Sequence, residues 1–244
     1  MLSKSQIQLI TRLKQKKFRS QQQLFVAEGK KTINELLKSQ FELHQLYTTT
    51  SAFDVVEDLK TIITPTELKK ISFLKTPQRA LAVFHIPKAE PIDQGNLILA
   101  LDNVRDPGNL GTIIRLCDWF GIDDLICNSE TVDCFNPKVV QATMGSLARV
   151  NITYTDLSRF LKSVSSKKMG AFMDGSDVYQ SELPETGILV LGNEANGISA
   201  NVEKEIDQRL AIPQFGKLKE TESLNVANAA AVFFSEFRRR TIER

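Results

Sequence analysis

The stretch from residue 187 to 231 constrains the fold more than any other. It opens with GILVLGNEANGIS, an apolar run over 188–191 that breaks at Gly192 into polar Asn193, Glu194 and Asn196. A short apolar run bounded by glycine reads as a buried strand ending in a tight loop, and α/β proteins place ligands where such strands end. The design recurs at 210–212, which stops at Pro213. After a loop, Ser223-Leu224-Asn225 opens a long apolar helix, with Ser223 the expected N-cap. Two such strands and one capped helix in so short a span predict a single pocket built from several loops.

The rest of the chain supplies the sheet. Residues 97–101 are continuously apolar, which implies burial on both faces, as in a parallel sheet. A polar loop from Asp102 to Gly111 follows, then an expected helix over 112–120 carrying Arg115. Strands at 124–127, 150–154 and 169–173 alternate with helices at 137–147 and 156–164, a pattern that predicts an open, mostly parallel sheet. Upstream, short strands at 24–27, 43–47, 62–63 and 80–84 alternate with helices at 3–17, 32–39 and 66–71, a small α/β layer of its own. His85-Ile86-Pro87-Lys88-Ala89-Glu90-Pro91, with two prolines among charged residues, reads as a linker. The expected domains are therefore 1–87, a linker at 88–95, and 96–244.

Charge separates the two parts. Residues 1–90 hold 15 Lys and Arg against 8 Asp and Glu, while 91–244 hold 16 against 21, so a basic first third precedes an acidic remainder. Such a third suits either docking to a polyanion or a solvated charged surface. The cluster Lys14, Lys16, Lys17 and Arg19 has the same two readings: complement to a helix C-terminus or phosphate contact. No apolar stretch nears the roughly 18 residues that span a membrane, and the basic, polar N-terminus has no signal-peptide core. Three cysteines without a CxxC pair suit a reducing cytoplasm and form no zinc framework. With only His44 and His85 present, most histidine metal sites and triads are excluded.

Phosphate-binding glycine motifs, GxSxG and HExxH are absent, and Pro107-Gly108-x-x-Gly111 lacks GxGxxG spacing. Arg115 has apolar neighbours Ile113, Ile114, Leu116 and Trp119, so it is expected to need an anionic or polar partner. Asn109, Arg115, Glu194, Ser223 and Asn225 are all expected at strand-to-helix junctions, which share one edge of a parallel sheet.

Three blocks carry a resemblance. LDNVRDPGNLGTIIRLCDWFGID, LVLGNEANGIS and IPQFGKLKETESLNVANAAA, in this order and with NPKVVQATMGSL between the first two, resemble the three motifs of the SpoU (TrmH-like) branch of the SPOUT class of RNA 2'-O-ribose methyltransferases. The match covers about residues 97–240. Residues 5–85, with LFVAEGKKTINELL, resemble the ribosomal-protein-L30e-like substrate-binding domain often found ahead of it. The chain departs from the pattern in a longer gap between IP and SLN and in alanine after SLNV. Both departures lie at a loop edge.

The resemblance implies an α/β domain whose C-terminal segment threads a loop to form a deep trefoil knot, a rare topology. It implies S-adenosylmethionine as cofactor, held largely by backbone groups around Gly192, Ile212 and Leu224, with Leu191, Asn193, Gly197 and Pro213 beside them. It implies a homodimer through the methyltransferase domain, an RNA partner with ribosomal RNA the first choice, and no metal. Arg115 is the implied catalytic residue, with Glu194, Asn109, Ser223 and Asn225 around it. A guanidinium rarely yields its proton, so Arg115 is expected to orient phosphate or stabilise a developing alkoxide rather than act as base. A transfer-RNA methyltransferase, a non-catalytic RNA-binding assembly factor, and an enzyme using another nucleotide cofactor on a small molecule are the competing readings.

Overall fold

The computed structural model describes residues 1–218 and 223–242. In chain order the elements are α1 (Lys4–Arg12), α2 (Lys16–Gln22), β1 (Leu24–Glu28), α3 (Lys30–Leu37), β2 (Leu43–Thr48), β3 (Lys60–Ile62), α4 (Pro65–Ile71) and β4 (Ala80–His85). Then follow β5 (Leu97–Leu101), α5 (Pro107–Phe120), β6 (Asp124–Cys127), α6 (Pro137–Thr143), β7 (Asn151–Tyr154) and α7 (Leu157–Ser163). The chain closes with β8 (Lys168–Asp177), β9 (Gly187–Leu191), α8 (Ala200–Glu203), β10 (Gln208–Ala211) and α9 (Val226–Ile242). It divides into two compact units: Met1–Lys88 with Asp133–Arg149, and Ala89–Val132 with Val150–Arg244.

The first unit is built on a four-stranded sheet in the order β1-β4-β2-β3. Two helices start on reciprocal side-chain caps. Ser3 and Gln6 form a capping box at α1, and Thr64 and Glu67 form another at α4, where Pro65 occupies the first turn. One face of the sheet buries Leu24, Val26, Tyr47, Leu81 and Val83 against Ile10, Leu13, Leu68 and Ile71. Because side chains alternate along a strand, Phe25 points the other way. There it meets Phe84 at 5.8 Å, Phe41 at 5.4 Å and Phe135 at 4.8 Å between ring centroids.

Phe135 comes from the later segment, which completes this core. Arg19 is only 2% exposed: its guanidinium pairs with Asp133 and donates to the Leu13 and Lys14 carbonyls at 2.8 and 2.9 Å. Arg19 thus closes the end of α1 instead of facing solvent, which removes it from any phosphate-contacting cluster. The expected single helix over 3–17 is two, α1 and α2, separated by this turn.

The second unit carries six strands in the order β10-β8-β9-β5-β6-β7, every neighbouring pair parallel. This agrees with the expected α/β class and parallel sheet. Ile98, Ala100, Ile188 and Val190 pack with Leu157 and Leu161 of α7 and with Ile198 and Val202 near α8. Elsewhere α5 and α9 pack on one another, with Phe120 edge-on to Phe234 and Arg238 donating to the Phe120 carbonyl at 2.6 Å. The strand expected at 169–173 extends to Asp177, because Gly175 lets the Leu210 backbone approach: a Cβ there would lie 2.5 Å from the Leu210 carbonyl carbon. In an all-parallel sheet the strand C-termini share one edge, so the loops after β5, β8, β9 and β10 emerge together.

Candidate active site

At that edge a cavity of about 750 Å³ opens between the ends of β8, β9 and β10 and the start of α9. Its size falls within the roughly 300–1,000 Å³ usual for small-molecule sites. Leu191, Gly192, Asn193 and Gly197 line it from the loop after β9, Ile212 and Pro213 from the loop after β10, and Leu224 from the entry to α9. All seven residues that the resemblance assigned to a cofactor therefore border one space. Sequence reasoning missed the wall from β8, Ala171 to Met173, and Val226, Ala229 and Phe233 of α9. Phe172 of that wall is held by Arg209, whose guanidinium stacks 3.5 Å from the ring centroid while pairing with Asp174 and Glu203.

The loop after β9 is fixed by its own polar groups. Asn193 and Gly197 exchange backbone hydrogen bonds of 3.0 and 2.8 Å. The Asn193 side chain accepts from the amides of Ala195 and Asn196 and donates to the Asn103 carbonyl at 2.9 Å. Its side chain is thus committed to loop shape. Gly192 permits the closure: a Cβ there would lie 2.2 Å from the Gly197 carbonyl carbon and 2.3 Å from the Ile198 nitrogen. Asp102, 1% exposed, ties three loops by accepting from the Ser199 amide and the Asn128 side chain, both at 2.7 Å.

A polar chain runs beside the cavity. Glu194 lines it and accepts from Asn109 Nδ2, and Asn109 Oδ1 accepts from Asn225 Nδ2 at 2.9 Å. Ser223 also lines the cavity and donates to the Glu194 carbonyl at 3.4 Å. Four of the five expected polar residues thus come together. Two local expectations fail. The helix start is capped by Asn225, whose Oδ1 accepts from the amides of Ala227 and Asn228, so Ser223 lies outside the helix.

The second failure concerns Arg115. Helix α5 begins at Pro107, five residues earlier than expected, because Asp106 caps it by accepting from the Asn109 amide at 2.8 Å. Arg115 therefore sits two turns inside the helix, away from a strand-to-helix junction. It is exposed, does not line the cavity, and makes no side-chain hydrogen bond or ion pair among the described residues. Its neighbour Trp119 is 84% exposed. Burial pushes the Cys117 and Cys127 thiols well above their ordinary range, so neither offers a thiolate nucleophile.

The residues present fit a nucleoside-type cofactor: glycine-shaped backbone at Gly192, apolar walls, and acceptors at the mouth. The arrangement defines an α/β domain with a ligand-sized cavity at the carboxyl edge of a parallel sheet.

The SpoU rRNA Methylase family model matches residues 96–235, and the MRM3-like substrate binding domain matches residues 4–82. The chain belongs to the SpoU rRNA methylase family. It is 32% identical to the 23S rRNA (guanosine(2553)-2'-O)-methyltransferase RlmP of Bacillus subtilis over 93% of each chain. It is 32% identical to the 23S rRNA (guanosine-2'-O-)-methyltransferase RlmB of Neisseria meningitidis, over 63% of this chain and 62% of that one. A Porphyromonas gingivalis structure assigned to the TrmH family of RNA methyltransferases superposes with a TM-score of 0.90 at 42% identity, covering 98% of this chain and 99% of that one. An rRNA methyltransferase from Sinorhizobium meliloti with bound AdoMet gives 0.84 at 29% identity, covering 98% and 96%.

Proposed function

We propose that this protein methylates a ribose 2'-hydroxyl of structured RNA, with 23S ribosomal RNA as the substrate and S-adenosylmethionine as the methyl donor. The observation that carries the reading is the convergence of Leu191, Gly192, Asn193, Gly197, Ile212, Pro213 and Leu224 on one cavity, with Glu194, Asn109 and Asn225 hydrogen-bonded beside it. The relationship to RlmP along nearly the whole of both chains supports the ribosomal substrate.

S-adenosylmethionine supplies a methyl group already activated by its sulfonium; the chain's task is to align the acceptor oxygen and receive its proton. Alignment alone can contribute on the order of 7–11 kcal/mol in favourable cases. In this reading the Glu194 carboxylate, held by Asn109 at the cavity wall, accepts the hydrogen bond of the ribose hydroxyl and takes its proton as the methyl group is transferred. Asn109 and Asn225 fix its orientation, and Ser223 holds the loop that carries it. Arg115 acts as a permanent cation that orients the substrate phosphate or stabilises the developing alkoxide.

Its exposure away from the cavity, beside exposed Trp119, supports a homodimer in which a second copy completes the pocket. The return of 212–216 and 223–229 to the cavity bounded by 191–197 supports the trefoil knot. Residues 1–87 serve as the RNA-binding domain of L30e-like fold, joined through 88–95 to the methyltransferase domain, 96–244. The protein acts in the cytoplasm.

Ribose methylation is mapped across ribosomal and transfer RNA from a strain lacking the gene and from its parent. Loss of methylation at a 23S position supports the proposal. Loss confined to transfer RNA moves the substrate there, and unchanged maps contradict the reading.

A further inference from the structure

The first unit gathers cations at one edge of its sheet. Strand β4 runs antiparallel between β1 and β2, so the ends of β1 and β2 and the start of β4 lie at the same edge. Lys30 and Lys31 directly follow β1 and Gly29, while Lys75 and Arg79 precede β4. All four are exposed, and none makes a side-chain hydrogen bond or ion pair among the described residues. Three other cations of this unit are paired internally: Arg19 with Asp133, Lys60 with Glu57, and Arg149 with Glu35.

The segment carrying Lys75 and Arg79 is held in place at both ends. Glu28, 5% exposed, accepts from the Ser72 hydroxyl and from the Phe73 amide at 2.8 Å. The Arg79 carbonyl accepts from the Thr49 amide at 2.9 Å and from the Thr49 hydroxyl at 3.2 Å. Gly29 adopts φ +87° and donates to the Ala80 carbonyl at 3.2 Å, and Gln78 Oε1 lies 2.5 Å from where a Cβ would stand. The fold therefore carries four exposed cations, none of them in an ion pair among the described residues, on segments that meet at one edge of the sheet, where Asp54 is the exposed carboxylate that follows β2. Like charges held together in this way favour a ligand with repeating negative charge, and a phosphodiester backbone meets that requirement.

We propose that this edge, with Lys30, Lys31, Lys75 and Arg79 as its contacts, is the surface on which the phosphate backbone of the substrate RNA docks. The assignment rests on the RNA methyltransferase reading and adds the docking face to it.

The test uses the full chain, deproteinised 23S ribosomal RNA as the probe, and the triple variant K30A/K31A/R79A. Removing three phosphate contacts lowers the slope of log affinity against log salt by about 2–3, given about 0.7–0.9 per contact. The expected result is that drop, a rise of about tenfold or more in KM for RNA, and an unchanged affinity for S-adenosylmethionine. The variant K38A removes a lysine at the far end of α3 and leaves slope and KM unchanged. An unaltered slope and KM in the triple variant overturns the assignment, as does a per-charge loss of the same size in K38A. Wild-type protein that binds the RNA with the predicted slope but transfers no methyl group contradicts the enzymatic reading and leaves the docking face standing. Active wild-type protein with an indifferent triple variant removes only the docking face.

Discussion

Asn109 holds Glu194. The side-chain amide of the first residue donates to the carboxylate of the second across 85 positions of sequence, joining the first turn of α5 to the loop after β9. The same amide accepts from Asn225, so one asparagine couples two chain segments that border the cavity. Hydrogen bonds to a charged partner are worth about 1.5–3 kcal/mol. Asn109→Ala is expected to lower kcat/KM for ribose methylation by about 10-fold to 100-fold while the protein stays folded at the assay temperature. Labelled methyl transfer and a thermal melt on the same preparation check this.

Gly192 and Gly197 separate space from backbone conformation. A Cβ at Gly192 meets the backbone of Gly197 and Ile198 at 2.2–2.3 Å, so Gly192→Ala must displace the loop. A Cβ at Gly197 meets nothing within 4 Å, but its φ of +68° is strained for alanine by about 1–2 kcal/mol. Calorimetry with S-adenosylmethionine is expected to show more than tenfold weaker binding for Gly192→Ala than for Gly197→Ala. Equal affinities would show that the closed loop does not shape the cofactor site.

Arg19 and Asp133 form an ion pair whose side chains are 2% and 14% exposed. Removing one partner of a buried pair leaves the other charge uncompensated, at a cost of about 3–5 kcal/mol. Asp133→Ala is expected to lower the urea midpoint of the first unit by a corresponding amount. A fragment ending at residue 88 lacks both Asp133 and Phe135 and is expected to be less stable than the unit within the full chain.

Glu67 gives the first unit an acid-sensitive contribution. Its carboxylate accepts from the Thr64 and Leu2 amides and the Thr64 hydroxyl, which hold its pKa down to about 2. A depressed folded-state value means that the stabilisation is present above the ordinary value of 4.5 and is lost as pH falls through about 2. The difference in melting temperature between wild type and Glu67→Gln should therefore be present at neutral pH, shrink below about pH 4.5 and vanish near pH 2. A carboxyl NMR titration of Glu67 with an ordinary midpoint would contradict it.

Strand 97–101 was legible in the sequence to the residue, because burial on both faces makes its apolarity continuous. Loops whose walls are backbone were legible too, through the glycines that the close approach demands. Helix starts were harder. Pro107-Gly108-Asn109 looks like a turn, yet Asp106 as cap and Pro107 in the first turn are start signals that assign Arg115 to a helix interior. At α9, Ser223 and Asn225 are both good caps, and only the geometry selects Asn225. The segment 133–149 shows a different limit. Its apolar residues announce burial, but periodicity does not say which core they enter, and Phe135 joins the first unit. The residues 219–222 in the longer gap between Pro213 and Ser223 lie outside the described residues.

The most direct test incubates the protein with methyl-labelled S-adenosylmethionine and 23S ribosomal RNA from the deletion strain, then hydrolyses the RNA with alkali. A blocked 2'-oxygen prevents cleavage of the adjacent phosphodiester, so label is predicted in alkali-resistant dinucleotides and strongly reduced with Asn109→Ala. Label confined to mononucleotides would indicate base methylation, and bound cofactor without any transfer would indicate no catalysis on this RNA; either result contradicts the account.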